Sequence, residues 1–313
     1  MVIKMKKVDV IIPVYKPEKS FFELIDRLEH QTLEVNKIIL MNTEQKYFDR
    51  FADGSSFFSK YTNICITHLP KKEFDHGKTR RQGVEKSDAP FFVLMTQDAM
   101  PKDKYLIERL TAPLESEDVA AAYARQMAAK GCNVIERYTR QFNYPEEKCV
   151  KSREDIGRLG IKTFFCSNVC AAYRRDIYEL LGGFTEHTIF NEDMIYAAGA
   201  VKAGYKIVYE ADARVVHSHN YTCIQQFQRN FDLGVSQAQH PEIFSTVSSE
   251  GEGVSMIKRT TGYLWNSGHK LLIPSLYINS ACKYAGFLMG KNYRRLPKKV
   301  ILKCTMSKDY WEV

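Results

Sequence analysis

The sequence lacks the features that mark membrane-spanning and secreted proteins. No apolar run reaches the roughly 18 residues of a spanning helix, because Pro274, Asn279 and Lys283 interrupt the most apolar late stretch, residues 271–290. The basic start of the chain is followed by an apolar run that contains Asp9 and no small-residue cleavage site, so we expect no signal peptide. We therefore expect a soluble, cytoplasmic chain.

Paired cysteines and glycine-rich loops are also missing. The eight cysteines form no C-x-x-C pattern, and Cys166 and Cys170 have no partner pair at zinc spacing, so we expect reduced thiols. No G-x-G-x-x-G follows the first apolar run, which argues against a dehydrogenase. A sugar nucleotidyltransferase would need a glycine-rich loop near its start, and residues 10–20, VIIPVYKPEKS, contain none. That class is kept as the less favoured alternative.

Basic charge is concentrated near the end of the chain. The net charge is +8, and from residue 254 onward eleven Lys or Arg stand against two acidic residues. Residues 291–303, KNYRRLPKKVILK, interleave six basic residues with apolar ones. This pattern is typical of a solvated basic face, or of a surface that docks on the anionic inner leaflet at about 1 kcal/mol per basic residue. We see no nucleic-acid-binding motif and expect no nucleic-acid partner.

Short apolar runs alternate with helical patterns in the first half of the chain. Residues 8–15, 37–42, 63–69 and 90–96 are typical of buried strands, and residues 19–31 of a helix. This alternation predicts an α/β fold with a mostly parallel central sheet and helices on both faces. Ligands of such sheets bind beyond the carboxyl ends of the strands, so the residues that follow the strands are the candidate site residues.

The pattern loosens after residue 118. We predict a strand over residues 120–126, a strand and short helix closed by Gly182 and Gly183, and two short strands after Gly204. The rest of the chain has a helical, basic pattern. We predict one domain over residues 1–250 and a basic helical extension over residues 251–313.

Candidate metal ligands follow two of the predicted strands. Asp98 comes directly after the most apolar strand, and His217 and His219 follow a short strand-like run. Carboxylate and imidazole together suit Mn²⁺ or Mg²⁺, and such a cation neutralises a leaving diphosphate. We predict that Asp98 and His217 bind a divalent metal. The alternative for Asp98 is a capping role at a turn.

An acid pair and a basic segment complete the candidate site. Glu192 and Asp193 begin a predicted helix after a loop, where a carboxylate can take the proton of an attacking hydroxyl. The alternative is that both acids merely interact with the helix dipole. Four residues cluster at the start of another predicted helix, where they could bind phosphate: His76, Lys78, Arg80 and Arg81. The alternative is that they form a solvated basic face of that helix.

Five motifs occur in the order typical of one enzyme family. They are VIIPVY at residues 10–15, HGKTRRQG at 76–83, TQDAMP at 96–101, GGF followed by NED at 182–193, and VVHSHNYT at 215–222. Together they resemble the family-2 glycosyltransferases with the GT-A fold, and more narrowly the bacterial rhamnosyltransferase branch. The resemblance covers most of the chain.

The resemblance implies roles for individual residues. Asp98 matches the last residue of the Asp-x-Asp metal motif, whose first Asp is Thr96 here, and His217 matches a later metal ligand. Glu192 and Asp193 match the catalytic pair, with Asp193 as the base. The remaining matches are implied to bind the donor: Pro13, Val14, Tyr15, Asn42, Glu44, His76, Gly77, Arg80 and Gln97.

The resemblance also implies the reaction. It indicates an inverting transferase that moves L-rhamnose from dTDP-L-rhamnose onto a polysaccharide or an undecaprenyl-linked glycan, in bacterial cell-surface polysaccharide synthesis. Such an enzyme acts in the cytoplasm, at the inner face of the plasma membrane. A UDP-hexose donor is the alternative, because residues 41–45, MNTEQ, lack the Asp with which the family usually contacts the base.

Overall fold

The computed structural model describes residues 7–245 and 250–312, and its first half contains a parallel sheet. The strands are β1 (Val8–Tyr15), β2 (Lys37–Thr43), β3 (Ile64–Leu69) and β4 (Phe91–Met95). They lie in the order β3-β2-β1-β4, and neighbours run parallel. All four were predicted, with ends that differ by at most one residue. β1, β2 and β4 are almost continuous apolar runs buried on both faces, whereas β3, at the edge of the sheet, is only partly buried.

The second half of the sheet is mixed. Within the described residues five more strands join it: β5 (Met100–Pro101), β6 (Val119–Met127), β7 (Cys149–Lys151), β8 (Cys170–Arg174) and β9 (Lys206–Val216). β8 runs antiparallel to both β4 and β6, whereas β6 runs parallel to β9. The predicted α/β fold is confirmed, and its parallel core is β1 to β4.

The prediction of two short strands after Gly204 is wrong. One strand, β9, continues through the whole segment. Its pairing with β6 shifts sharply, because Ala124 pairs with Glu210 and the next residue, Arg125, pairs with Arg214. The extra residues form an irregularity of the bulge type, and its exposed Asp212 resembles a strand break in the sequence.

Helices cover both faces of the sheet. In chain order they are α1 (Ser20–Glu29), α2 (Gln45–Ala52), α3 (His76–Glu85), α4 (Leu106–Thr111), α5 (Val134–Asn143), α6 (Ile156–Leu159), α7 (Arg175–Leu180) and α8 (Glu192–Lys202). Residues of α1, α2 and α4 share one core with Val10 and Ile12 of β1. Residues of α3, α7 and α8 share the other core with Ile11, because successive strand side chains point to opposite faces.

The chain ends in a helical region. Its helices are α9 (Cys223–Gln239), α10 (Pro241–Phe244), α11 (Glu250–Asn266), α12 (Ile273–Lys291) and α13 (Lys298–Cys304). α12 packs closely along α9, since a Cβ on Gly286 or Gly290 would overlap the backbone of Phe227 or Phe231. The helical extension is confirmed, and its boundary at residue 250 stays a prediction. No helix in the described ranges combines the length and apolar character needed to cross a membrane.

Candidate active site

The predicted metal ligands lie together, and His219 joins them. Asp98 lies in the turn after β4, and both histidines follow β9. The Oδ2 atom of Asp98 is 3.5 Å from Nε2 of His217 and 3.3 Å from Nε2 of His219, and the two Nε2 atoms are 3.0 Å apart. The three side chains present one carboxylate oxygen and two imidazole nitrogens to a common point, which is a ligand set that can hold a divalent metal.

Gln126 orients the buried ring of His217. The Oε1 atom of Gln126 lies 3.0 Å from Nδ1 of His217 and also accepts a hydrogen bond from Arg140. An amide oxygen can only accept, so Nδ1 carries a proton and Nε2 is the nitrogen that faces Asp98. This is how outer partners commonly orient a metal-binding histidine.

The protonation states of the cluster also suit a cation. Partial burial and the neighbouring His217 lower the pKa of His219 to about 4, so its ring is neutral at pH 7. Burial alone would raise the pKa of Asp98, but the hydrogen bond and charge of His217 hold it below its usual range. A neutral imidazole and an ionised carboxylate are the forms that bind a metal.

The acid pair begins α8, and its two carboxylates have different surroundings. Glu192 is buried, with Oε1 3.3 Å from Nε of Arg80. Burial alone would raise the pKa of Glu192, but the charge of Arg80 lowers it. Asp193 is partly exposed, and burial together with the charge of Glu192 raises the pKa of Asp193 to about 7. Asp193 is therefore suited to accept a proton near neutral pH, whereas Glu192 stays ionised.

One loop joins the acid pair to the predicted metal ligands. The backbone N–H of Asn168 donates to Asp193 at 2.9 Å, and its side-chain amide donates to Glu192 at 3.0 Å. The preceding residue, Ser167, accepts a hydrogen bond of 3.0 Å from Gln126, the residue that orients the ring of His217. The sequence did not predict Gln126, Ser167 or Asn168 as site residues, because a single amide or hydroxyl residue is not part of a recognisable motif.

Arg80, predicted to contact the donor phosphates, is held inside the protein. Its guanidinium donates to the backbone oxygen of His76 at 2.9 Å, and its side chain is 7% exposed beside Glu192. Burial lowers the pKa of His76 to about 4, which leaves that ring neutral. The donor-binding roles of Arg80 and His76 stay predictions. In the structure Arg80 pairs with Glu192, and its charge lowers the pKa of that carboxyl.

Gly77 allows α3 to pack close to the loop before α8. A Cβ at this position would overlap the backbone oxygen of Thr185. Asp75 caps the same helix, with its side chain accepting from the N–H of Lys78 at 2.7 Å. Donor binding by Gly77 stays a prediction, and the structure gives this glycine a packing reason of its own.

Gln97 ties the end of β1 to the turn that carries Asp98. Its side chain accepts from the N–H of Tyr15 at 2.8 Å and donates to the backbone oxygen of Tyr15 at 2.9 Å. The Tyr15 ring is 36% exposed, Pro13 is half-buried, and Val14 is buried in the core. Within this predicted donor-binding segment, Tyr15 therefore offers the most accessible side chain.

Asn42 and Glu44 lie at the end of β2. Asn42 is fully buried and hydrogen-bonded to His68 at 2.8 Å, and in the described part of the chain its Oδ1 has no hydrogen-bond partner. Glu44 accepts from the N–H of Lys71 at 2.8 Å, and this hydrogen bond lowers the pKa of Glu44. Contact of Asn42 and Glu44 with a nucleotide stays a prediction.

A cavity of about 220 Å³ opens beside the ends of β1 and β2. Tyr15 and His76 line it, as residues of the predicted donor site. Ten further residues line it, and none of them has a predicted role: Thr43, Lys71, Phe74, Asp75, Thr188, Ile189, Met306, Ser307, Asp309 and Tyr310.

Arg229 of α9 also lies at the site without any sequence signal. Its guanidinium is 4.6 Å from the ring centre of Phe190 and 5.9 Å from that of Tyr221. The Tyr221 ring stacks on His219 at 4.9 Å. Among the residues described, no carboxylate lies within 4.0 Å of Arg229. A guanidinium in this position suits an anionic ligand such as a phosphate.

The architecture matches that of solved glycosyltransferases. The mannosyltransferase PcManGT from Pyrobaculum calidifontis, solved in complex with GDP-Man and Mn²⁺, aligns over 99% of this chain and 86% of its own with a TM-score of 0.57. The two sequences are 14% identical, so the likeness concerns the fold. The chain has the GT-A fold of a glycosyltransferase.

Sequence comparison places the chain within this class. The model of glycosyl transferase family 2 matches residues 9–182. The O-antigen chain rhamnosyltransferase RfbN of Salmonella typhimurium is 37% identical over 97% of this chain and 96% of its own length. WbaN, an O-antigen chain rhamnosyltransferase of Salmonella anatum, is 37% identical over 98% and 96%. The chain belongs to glycosyl transferase family 2, and the predicted family is confirmed.

Proposed function

We propose that this enzyme moves L-rhamnose from dTDP-L-rhamnose onto a growing cell-surface polysaccharide, with inversion at the anomeric carbon. Two relatives that match nearly its whole length are named rhamnosyltransferases of O-antigen chains. The observation that carries the proposed chemistry is the framework of Gln126, Ser167 and Asn168, which joins the metal ligands to Asp193.

Asp193 is the proposed general base. The acceptor hydroxyl attacks the anomeric carbon while Asp193 takes its proton. The bond between that carbon and the diphosphate oxygen breaks, and the diphosphate leaves with the bonding electrons. A single displacement inverts the configuration. Glu192, held ionised by Arg80, makes Asp193 more basic by raising its pKa.

Asp98, His217 and His219 would hold a Mn²⁺ or Mg²⁺ ion. When bound, the cation neutralises charge on the leaving diphosphate. Two imidazole ligands favour Mn²⁺, because Mg²⁺ prefers oxygen ligands. Arg229, which lies over the ring of Tyr221 beside His219, supplies a further positive charge for the diphosphate.

A panel of sugar nucleotides tests the donor and the metal together. The enzyme is incubated with each donor, an acceptor glycan and either Mn²⁺ or Mg²⁺, and release of nucleoside diphosphate is measured. We expect release from dTDP-L-rhamnose to exceed release from UDP-hexoses by at least about tenfold. Faster release from a UDP-hexose would replace the donor assignment, and no release from any sugar nucleotide would contradict the proposed function.

The same proposal includes a lipid-linked, undecaprenyl-type acceptor and peripheral binding to the cytoplasmic face of the plasma membrane. The six basic residues of residues 291–303 are all exposed. Their apolar neighbours Leu296, Val300 and Ile301 pack instead against a core that contains Phe231. Docking through this segment would therefore be mainly electrostatic and weakened by salt.

Vesicle sedimentation tests this docking. We expect binding to phosphatidylglycerol vesicles and little binding to phosphatidylcholine vesicles. A variant with four exposed basic residues changed to Gln should lose most of this binding: Arg294, Arg295, Lys298 and Lys299. The matched control changes four exposed lysines elsewhere: Lys60, Lys72, Lys86 and Lys130. Two results would reject a role for this segment. One is an equal loss of vesicle binding in both variants, and the other is equal binding to anionic and neutral vesicles.

A further inference from the structure

The end of the chain forms part of the cavity beside β1 and β2. We call residues 305–311 the C-terminal turn. Tyr15 and Thr43, at the carboxyl ends of β1 and β2, line the same cavity. Four residues of the C-terminal turn line it with them: Met306, Ser307, Asp309 and Tyr310.

α9 anchors the C-terminal turn near both of its ends. The buried carboxylate of Asp232 accepts a hydrogen bond of 2.6 Å from the hydroxyl of Thr305 and one of 3.0 Å from the N–H of Met306. The hydroxyl of Tyr310 accepts from Gln239 at 3.0 Å. The C-terminal turn is therefore a built part of the cavity wall, held by the same helix that carries Arg229.

An ion pair connects the C-terminal turn to the segment after β3. The ammonium of Lys71 is 2.6 Å from Oδ2 of Asp309, and the backbone N–H of Lys71 is held by Glu44 at the end of β2. Lys71 and Asp309 both line the cavity. The pair thus links Asp309 to the segment that Glu44 holds at the end of β2.

We propose that the C-terminal turn is part of the donor-binding site and holds the nucleoside of the sugar nucleotide against Tyr15. This inference rests on the proposed function. Gln97 connects Tyr15 to the turn of Asp98, so a diphosphate beside Asp98 places its nucleoside near Tyr15.

The lining of the cavity suits a nucleoside better than a phosphate. Tyr15 and Phe74 offer aromatic rings for a base, and Thr43 and Ser307 offer hydroxyl groups. The Thr43 hydroxyl is buried and has no hydrogen-bond partner among the described residues. The carboxylate of Asp309 offsets the charge of its partner Lys71, which makes the cavity less attractive to phosphate, and it accepts hydrogen bonds from a sugar hydroxyl or a base N–H.

Binding of two different ligands distinguishes an effect on the nucleoside site from an effect on the diphosphate site. Binding of TDP and of pyrophosphate, each with Mn²⁺, is measured by calorimetry on the full-length chain. Ser307→Trp fills the cavity, so we expect the Kd of TDP to rise at least about tenfold while that of pyrophosphate changes less than about twofold. Lys308→Trp is the matched control, because Lys308 is exposed in the same turn and does not line the cavity.

Asp309→Asn provides a second variant that conserves shape. We expect the Kd of TDP to rise about threefold with pyrophosphate binding unchanged. Wild-type TDP affinity in a folded Ser307→Trp variant, or equal loss of both ligands there, would overturn the role of the C-terminal turn. If Ser307→Trp does not fold, unchanged TDP affinity in Asp309→Asn would overturn it. A wild-type enzyme that binds no nucleoside diphosphate would instead contradict the proposed function itself.

Discussion

The metal-ligand cluster and the acid pair lie on one hydrogen-bonded framework but differ in how their charges are balanced. In the metal-ligand cluster, ionised Asp98 faces ring nitrogens of His217 and His219. In the acid pair, Glu192 is matched by Arg80, and the pKa of Asp193 is raised to about 7. Lone pairs that converge on one point are stabilised by a bound cation, whereas a carboxyl of raised pKa accepts a proton. The difference supports the proposed metal binding by the first region and the proposed proton transfer by the second.

The largest effect should follow removal of the proposed base. Asp193→Asn keeps the shape of the side chain but cannot take a proton, so transfer should fall about a thousandfold. Binding of TDP with Mn²⁺ should persist, since Asp193 is not among the metal ligands. Rates are measured under single-turnover conditions and binding by calorimetry.

Asp176→Asn is the matched control for the helix-dipole alternative, because Asp176 is also an acid in the first turn of a helix. It should transfer sugar at close to the wild-type rate. At pH 8 the free energy of unfolding of Asp193→Asn should not be below that of the wild type. The raised folded-state pKa of Asp193 means that its ionised form disfavours folding above the unfolded-state pKa. Retained transfer in Asp193→Asn would remove it from the base role.

A somewhat smaller effect should follow loss of a metal ligand. Asp98→Asn should weaken Mn²⁺ binding about a hundredfold, because it removes the charged ligand, and His219→Ala should weaken it about tenfold. Free Mn²⁺ is measured by electron paramagnetic resonance. Asp88→Asn, an exposed acid paired with Lys37, is the control. Unchanged Mn²⁺ affinity in Asp98→Asn would reject this metal site.

Gln126→Ala should have an effect of about tenfold on Mn²⁺ affinity, in the range expected for a residue that orients a metal ligand. The change frees the ring of His217 to adopt the other tautomer and loosens Ser167. Gln126→Glu, which keeps an acceptor for the ring N–H, should restore much of the affinity. Failure of Gln126→Glu to bind better than Gln126→Ala would show that Gln126 acts through packing.

The smallest expected change is the response to pH. Asp193 must be deprotonated to accept a proton, so kcat at saturating metal should fall about fivefold from pH 7 to pH 6 and level off above about pH 8. The His219 ring stays neutral over this range, because its pKa is about 4. A flat kcat profile between pH 6 and pH 8 would contradict the assigned base or show that a step other than chemistry limits the rate.

Strands β1, β2 and β4 could be predicted because a strand buried on both faces is a continuous apolar run, and the partly buried edge strand β3 could be predicted from its β-branched residues. The rule that ligands bind at strand ends then pointed to Asp98 and His217, the junction of a loop and a helix pointed to Glu192 and Asp193, and the motif resemblance implied a role for each. The same reasoning wrongly predicted two short strands in place of β9. The irregularity opposite Ala124 and Arg125 depends on how β9 pairs with β6. The local sequence of β9 does not indicate which strand it pairs with or in which register.

By itself the sequence determined the α/β class and the family and indicated the candidate site residues, because apolar periodicity and motif order are local properties of the chain. Only the tertiary structure decided that Gln126 orients His217 across 91 residues, that Asn168 holds Asp193, and that the end of the chain lines the cavity. Those contacts depend on how separate elements pack, since packing sets where each side chain points. A single polar residue looks the same in the sequence whether or not that packing brings it a partner.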